Sequence, residues 1–480
     1  AGATLTLTSV GGSDDFRAMP AGDSLHLIGT TGIVAASGAN AVLGGDNSFT
    51  GGVTLQADSV LELVQATSGG TGTIQFQGDG ALLVLDSATA PANAILGLTP
   101  ADALDLKGVA WSASSPSQAA VDLHGHLTIP NGAGGFTLDT PDLYPETVFT
   151  LQSDGQGGTR LNPLYGQQTF NVATTADLIA AINAINATPE NAIINIAAGA
   201  HLTLTDTLPV LSAAAQAAIF INGQGATLDG AGTYRGLFAY SGHVTIEDLT
   251  ITHTSVTGGA GGSGYVPGGG GAGLGGGLFV GANANVTLDD VIFADTKAQG
   301  GAAGVYMPEG SYGGGGGIGG VAGGAGLLGN FGAGGGYDAR GNGNSNGGFG
   351  GGGVGGIFAY SGSNGGFGAG SGQFLGIAGG GLGAGGAIFV QAGGQLSFVG
   401  TDSETGGSVK GGAGGGSALG GGVFVQGDHT LTFTPDAGQT EIVSDGLTDG
   451  GSGALSVLVN GQGAVEFDGA TSYAGTTTIE

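Results

Sequence analysis

The tract from Gly258 to Thr430 holds 70 glycines in 173 residues, so an ordinary side-chain core cannot be built from it alone. Glycine offers nothing to bury and loses the most conformational freedom on folding. Three arrangements compete for such a tract. A flexible linker favours Ser over the Val, Leu, Ile and Phe that interrupt the glycines here. Collagen requires glycine strictly at every third position, a period this tract breaks repeatedly. The third arrangement stacks long loops against a solenoid or against one another, where missing side chains let backbones approach and hydrogen-bond as polyglycine-II-like strands. The apolar interruptions favour this third arrangement. No charged residue occurs between Gly341 and Thr401, so this surface is expected to be covered by itself or by a neighbour.

Composition narrows the function classes. With 112 Gly and 13 Pro in 480 residues the chain lies where low-complexity disorder is the default, yet 40% hydrophobic residues are enough for a continuous core. Seven Lys and Arg against 36 Asp and Glu give a net charge of −29, which excludes phosphate-backbone recognition and disfavours anionic membrane surfaces. The absence of Cys removes disulfides, thiolate metal sites and thiol catalysis. No signal peptide is read at Ala1, so the numbering is expected to begin inside a mature or excised region. The apolar run 207–221 contains Pro209 and Gln216 and is too short to cross a bilayer, so no membrane-spanning segment is expected.

Residues 1–165 read as short alternating runs such as Leu5-Thr6-Leu7-Thr8, Ser24-Leu25-His26-Leu27-Ile28, Val53-Thr54-Leu55, Val60-Leu61-Glu62-Leu63 and Thr73-Ile74-Gln75-Phe76, separated by irregular turns. Period two with Thr, Val, Ile and Leu predicts half-buried strands. Within them, Ser48-Phe49-Thr50-Gly51-Gly52-Val53-Thr54-Leu55 is echoed at the chain end by Ser472-Tyr473-Ala474-Gly475-Thr476-Thr477-Thr478-Ile479. Carrying that register past Glu480 sets Ala57 opposite Ala1, Leu61 opposite Leu5 and Leu63 opposite Leu7, as if the two ends were halves of one repeat. The chain is therefore expected to be one unit of a head-to-tail array, joined through Phe49, Gly51, Tyr473 and Gly475.

This phrase resembles the autotransporter-associated β-strand repeat, in which an aromatic residue precedes a Gly-rich turn and a Thr-rich strand. The resemblance implies a secreted or surface-displayed passenger built as a parallel β-helix. The membrane-anchoring barrel of that family has no counterpart in the sequence.

A second segment, 166–257, opens with Thr174-Thr175-Ala176-Asp177, a capping-box pattern with Asp in place of Glu. Leu178, Ile182 and Ile185 follow on one helical face, and Pro189 helps to end the helix, which is placed near 174–187. Strands are then expected at 193–196, 201–204, 218–221, 226–228, 243–246 and 249–252. The order resembles the start of right-handed parallel β-helices of the pectate-lyase-like superfamily, where a helix caps the open core. Further on, Gly236-Leu237-Phe238-Ala239-Tyr240-Ser241-Gly242 recurs as Gly356-Ile357-Phe358-Ala359-Tyr360-Ser361-Gly362, with shorter versions around Phe279, Phe389 and Phe424. Constant strands with variable spacing predict a solenoid whose long loops occupy 258–430, closed by strands in 431–480.

The chemistry-bearing residues are sparse. Polysaccharide lyases need a cationic base beside calcium-binding carboxylates, and the related hydrolases need clustered Asp residues. The helical segment offers only Arg235, Lys297, Arg340 and Lys410 as cations, while Asp289-Asp290 and Glu247-Asp248 read as solvent-facing or turn-binding acids. His124-Gly125-His126 would put two imidazoles on one strand face but lacks a third metal ligand. Gly343-Asn344-Ser345-Asn346-Gly347 matches a nucleophile elbow only as a glycine-saturated pattern matches everything. No catalytic, cofactor or metal residue is assigned.

The expected fold is thus all-β: an elongated right-handed parallel β-helix with one capping helix and long Gly-rich loops. Phe238, Phe279, Phe358, Phe389 and Phe424 are expected to stack in its core. The expected role is non-enzymatic, a structural repeat unit of an extracellular bacterial surface fibre or adhesin. Its partners would be further copies head to tail, together with surface polysaccharide or other cells. The alternatives are a carbohydrate-active β-helix enzyme and a carbohydrate-binding adhesin with an exposed row drawn from Tyr265, Tyr306, Tyr312 and Tyr337.

Overall fold

The computed structural model describes residues 4–7, 14–16, 27–30, 32–112, 114–131, 135–143, 145–308, 313, 315–317, 331–336, 346–356, 362–374 and 376–480. It is nearly all-β with a single helix among the described residues, and it divides into two compact units. The first takes in residues 1–168 and the second nearly all of 169–480.

In the first unit two parallel sheets grow side by side. Gly32–Ala35, Val53–Gln56, Ile74–Gln77 and Ile95–Leu96 lie in one, headed by Thr4–Leu7, and Asn40–Leu43, Val60–Leu63, Leu82–Leu85 and Ala103–Leu106 lie in the other. Ile33, Val53, Ile74 and Ile95 are in register and each is at most 1% exposed, so one apolar column runs through the unit. Phe49 sits wholly inside this core. The turns that look irregular in sequence follow a repeat of 20 or 21 residues, read from Ile33, Val53, Ile74 and Ile95. Buried polar groups tie the rungs together. The Asn47 side chain donates to Ser68 O (2.8 Å) and accepts from Leu27 N (2.9 Å). Parallel stacking stops where Thr159–Pro163 pairs antiparallel with both Ala103–Leu106 and Val148–Ser153.

One expected register does not hold. The terminal alignment made Thr4–Leu7 the counterpart of Val60–Leu63, but Thr4–Leu7 pairs with Gly32–Ala35 in the sheet of Val53–Gln56. Leu-Thr-Leu alternation fits either strand, because Val53–Gln56 and Val60–Leu63 both bury every second residue, so the pattern cannot choose between them. A strand follows the turn in both copies, Val53–Gln56 after Gly51-Gly52 and Thr477–Ile479 after Gly475-Thr476, but the left-handed Gly52 (φ 76°) has no left-handed counterpart at Gly475 or Thr476. Tyr473, the match to Phe49, is half-exposed and its hydroxyl bonds Thr477 Oγ1 at 2.6 Å.

In the second unit the strand Gln167–Val172 leads into the helix Thr175–Ala187. Thr174 Oγ1 accepts from Asp177 N (3.2 Å) and Asp177 Oδ2 accepts from Thr174 N (2.9 Å), a reciprocal cap that satisfies two otherwise orphaned amides. Leu178, Ala181, Ile182 and Ile185 are its buried face. That strand begins a 19-stranded, almost wholly parallel sheet, which continues beyond the helix by solenoid-like stacking of successive rungs. Thr245, Thr287, Ser397, Thr432, Leu458 and Thr478 follow one another along one column of this stack.

The corners of the rungs explain why one strand runs longer than its alternation suggests. Leu237–Thr252 is continuous through Asp248 (φ 48°), and its successor turns at Asp290 (φ 55°), with Gly400 (φ 81°) next in line. A single left-handed residue bends each rung without a loop. His253, Asp295 and Gly406 do the same at the next corner.

The Gly-rich insertions leave and return at fixed places. They depart after Ser255–Thr257, Lys297–Gln299 and Ser408–Lys410, which pair with one another, and re-enter at Gly273–Leu274, Gly383–Ala384 and Ala418–Leu419, which also pair. Later rungs, such as Thr440–Val443 onto Ala464–Phe467, pair without any such excursion. No helix in the described residues is long and apolar enough to cross a membrane. Replacing Thr174 by Ala removes half of the helix cap and is expected to lower stability by about 0.5–2 kcal/mol in urea melts; an unchanged midpoint would show that the helix needs no cap.

Candidate functional site

The most distinctive feature of the chain is a block of glycine backbones packed beside a column of phenylalanines. It starts from the repeated strand phrase. Phe238, Phe279, Phe389 and Phe424 occupy equivalent positions on consecutive paired rungs. Their rings stack at centroid separations of 4.2, 5.1 and 5.5 Å, and Phe389 and Phe424 are nearly parallel at 5°. The stacking expected for these residues is therefore present, while Phe358 lies outside the described residues.

A second column, from the Gly-rich insertion, interlocks with the first. Phe331, Phe349 and Phe367 stack at 5.3 and 5.1 Å with interplanar angles of 2° and 5°. They meet the first column edge-on or tilted, as in Phe279 to Phe331 (84°) and Phe389 to Phe349 (61°). Offset and edge-to-face contacts of this kind add roughly 0.5–1.5 kcal/mol per pair beyond area burial. Each of these three Phe residues precedes a glycine with positive φ, namely Gly332, Gly350 and Gly368 at 71°, 70° and 66°. Gly332 N donates to Phe349 O, and Gly350 N to Phe367 O, so the turns stack at an interval of 18 residues. The signal is present in sequence as Phe331-Gly332-Ala333-Gly334, Phe349-Gly350-Gly351-Gly352 and Phe367-Gly368-Ala369-Gly370, and glycine saturation hides it.

Behind the rings the glycine segments hydrogen-bond in three dimensions instead of in a sheet. Gly269, Gly270 and Gly271 donate to Gly335, Gly379 and Gly259 at 3.0, 2.9 and 2.8 Å. Their carbonyls accept from Gly316, Gly352 and Gly301. One three-residue stretch thus bonds to six different segments. That is the pattern of an extended chain with three residues per turn, whose successive amides point about 120° apart, as in polyglycine II. A methyl group on Gly269, Gly270 or Gly271 would overlap the carbonyl oxygens of Gly352, Gly301 and Gly317. Here glycine is required for the distance between neighbouring segments, not for loop freedom.

Arg235 closes one end of the aromatic column. Its guanidinium lies 5.1 Å from the Phe238 ring centroid and donates to Leu274 O (3.0 Å) and Gly275 O (3.1 Å). Burial lowers its pKa to about 10, so it stays charged at neutral pH. This cation is built into the scaffold. Lys297 and Lys410 are exposed on their strands, and Arg340 lies outside the described residues.

Among the other chemistry-bearing groups, Glu247 and Asp289 are register partners on adjacent rungs, followed by Asp248 and Asp290 at the corner. Asp290 accepts from Thr401 N and Oγ1, both at 2.7 Å, the turn-binding role expected for it. Burial, aided by Asp248 and Asp290, raises the pKa of Glu247. His124 and His126 do not share a strand face: Gly125 (φ 77°) turns the chain between them, and only His126 enters the strand His126–Ile129. Their rings lie 6.3 Å apart near the surface, with Asp122 beside His126. Residues 343–345 of the elbow-like pattern, and Tyr312 and Tyr337 of the aromatic row, are outside the described residues, whereas Tyr265 and Tyr306 pack at 5.9 Å. Among the described residues no group of three His, Cys, Asp or Glu could hold a metal ion. Comparison with protein-family models, with curated proteins and with solved structures found no match to this chain.

Two substitutions separate the components of this block. Phe389→Ala should destabilise the second unit by about 3–5 kcal/mol, the usual cost of a buried aromatic truncation, as measured by denaturant melts. Gly270→Ala removes no contact, yet it should also destabilise strongly, because a backbone carbonyl must move; a neutral result would refute the close-packed lattice.

Proposed function

We propose that this chain is a structural module of an extracellular bacterial surface fibre or adhesin, built as a right-handed parallel β-helix and stacked end to end with further copies. The observation that carries the reading is the interlocked block itself. Two phenylalanine columns and a six-neighbour glycine lattice join three rungs of the stack to their own insertions, cross-linking the solenoid sideways as well as along its length. Such a block resists shear between rungs, which is what a load-bearing element needs and a small-molecule site does not.

The charge balance supports a role outside nucleic-acid binding, and the scarcity of cations leaves little with which to neutralise an anionic substrate. Such stacking would extend the ladder in which Thr477–Ile479 pairs with Leu455–Val459 and Ile479 is 77% exposed. A strand edge of this kind is a template for another strand. Adhesion through surface polysaccharide would fall to exposed aromatics such as Tyr306.

Electron microscopy of the purified chain, and of two copies fused in tandem, tests the proposal. Rods that lengthen with copy number are expected, with concentration-dependent end-to-end association weakened by Ile479→Asp. Two globules on a flexible tether in the tandem fusion would overturn it.

A further inference from the structure

Two adjacent rungs carry acids where their neighbours carry core hydrophobes. Reading across the paired strands, one inward column runs Leu249, Val291, Asp402, Glu441 and Val465, and the next runs Ile251, Phe293, Glu404, Val443 and Phe467. Asp402, Glu404 and Glu441 are 1%, 0% and 1% exposed. Asp402 is partly satisfied, accepting from Val291 N and from Val399 N (3.2 Å), and its own amide donates to Glu441 Oε2 (2.9 Å). Among the described residues, neither carboxyl oxygen of Glu404 nor Oε1 of Glu441 has a hydrogen-bond partner.

The charged groups that act on this trio are all carboxylates. Asp289 and Asp290 face it from the preceding rung and Asp445 from the following corner, while Glu466 on the next rung is exposed. Among the described residues no Lys, Arg or His offsets them and no metal-holding group forms. Three ionised carboxylates in such a place would carry a prohibitive desolvation cost. Neutralisation by protons remains.

We infer that Asp402, Glu404 and Glu441 form a proton-dependent latch, which holds the rung containing Ser403–Thr405 to the rung containing Thr440–Val443 when protonated and loosens it as they ionise. This inference is independent of the fibre reading. Burial, reinforced by Asp445, pushes Glu404 up to about 8, and burial with mutual repulsion raises Asp402 and Glu441 as well. The sign follows from linkage. A carboxyl with a folded pKa above its unfolded value contributes full stability below the unfolded pKa, near 4.5 for Glu, and loses it as pH rises toward the folded pKa. Glu404 alone should lower the folding constant about tenfold per pH unit between roughly pH 5 and pH 8, and the coupled pair should steepen that slope.

Urea unfolding of the full chain followed by circular dichroism at pH 5, 6.5 and 8, with and without calcium, tests the latch. The midpoint of the second unit's transition should fall steadily with pH, and Glu404→Gln with Glu441→Gln should flatten the profile. A flat wild-type profile, an unchanged slope in the double variant, or a slope abolished by calcium would each overturn the inference, the last by revealing a cation site. Should the variant fail to fold, infrared spectroscopy of the wild-type chain at pH 7 decides. A carbonyl band from protonated carboxylic acid that disappears on alkalinisation is expected, and its absence at pH 7 would refute the latch.

Discussion

Rung-to-rung register is the constraint on which the second unit depends. A parallel ladder places identical positions of successive rungs directly above one another, so any side chain chosen once is presented again at the next level. The phrase around Phe279, Phe389 and Phe424 uses this directly: the three rings stack because their backbones pair residue for residue. The left-handed corners obey the same rule, since Asp248, Asp290 and Gly400 succeed one another at one bend. Once the register is set, an insertion need only leave and return at matched strands to remain in phase.

The glycine lattice follows from that phase. Its segments come from three insertions that depart from paired strands, so they begin side by side. Ordinary side chains would then hold them at sheet spacing or farther apart. Without side chains, each amide can find a carbonyl on a different neighbour, and the buried polar backbone is satisfied in a region with little apolar mass. Phe331, Phe349 and Phe367 provide the apolar anchorage that the glycines lack. The lattice and the rings are therefore complementary: one satisfies hydrogen bonds, the other excludes water.

Much of this is legible in the amino-acid sequence alone. The helix and its cap are readable because Thr174, Asp177, Leu178, Ile182 and Ile185 carry a local signal. The core phenylalanines are readable because their phrase recurs almost unchanged. The corners are not, since Asp, His and Gly at a bend look like any polar turn, and only the pairing shows that they coincide. The register of Thr4–Leu7 is not readable either, because a short alternating strand fits two sheets equally. The polyglycine-II-like packing can be named from composition, but its six-neighbour connectivity depends on which distant segments meet, information that a glycine-saturated sequence does not encode locally.

The acids at Asp402, Glu404 and Glu441 escape a sequence reading for a related reason. In Ser403-Glu404-Thr405 and Thr440-Glu441-Ile442 they occupy short, polar-looking strands, and alternation alone assigns them to the solvent face. Only the columns above and below, with Val291 and Phe293 on one side and Val465 and Phe467 on the other, show that they point inward. In a solenoid the environment of a residue is set less by its chain neighbours than by the residues one rung away. That vertical context is where sequence reading of such proteins should look, because a polar residue in an apolar column is a departure from the repeat that packing alone does not explain.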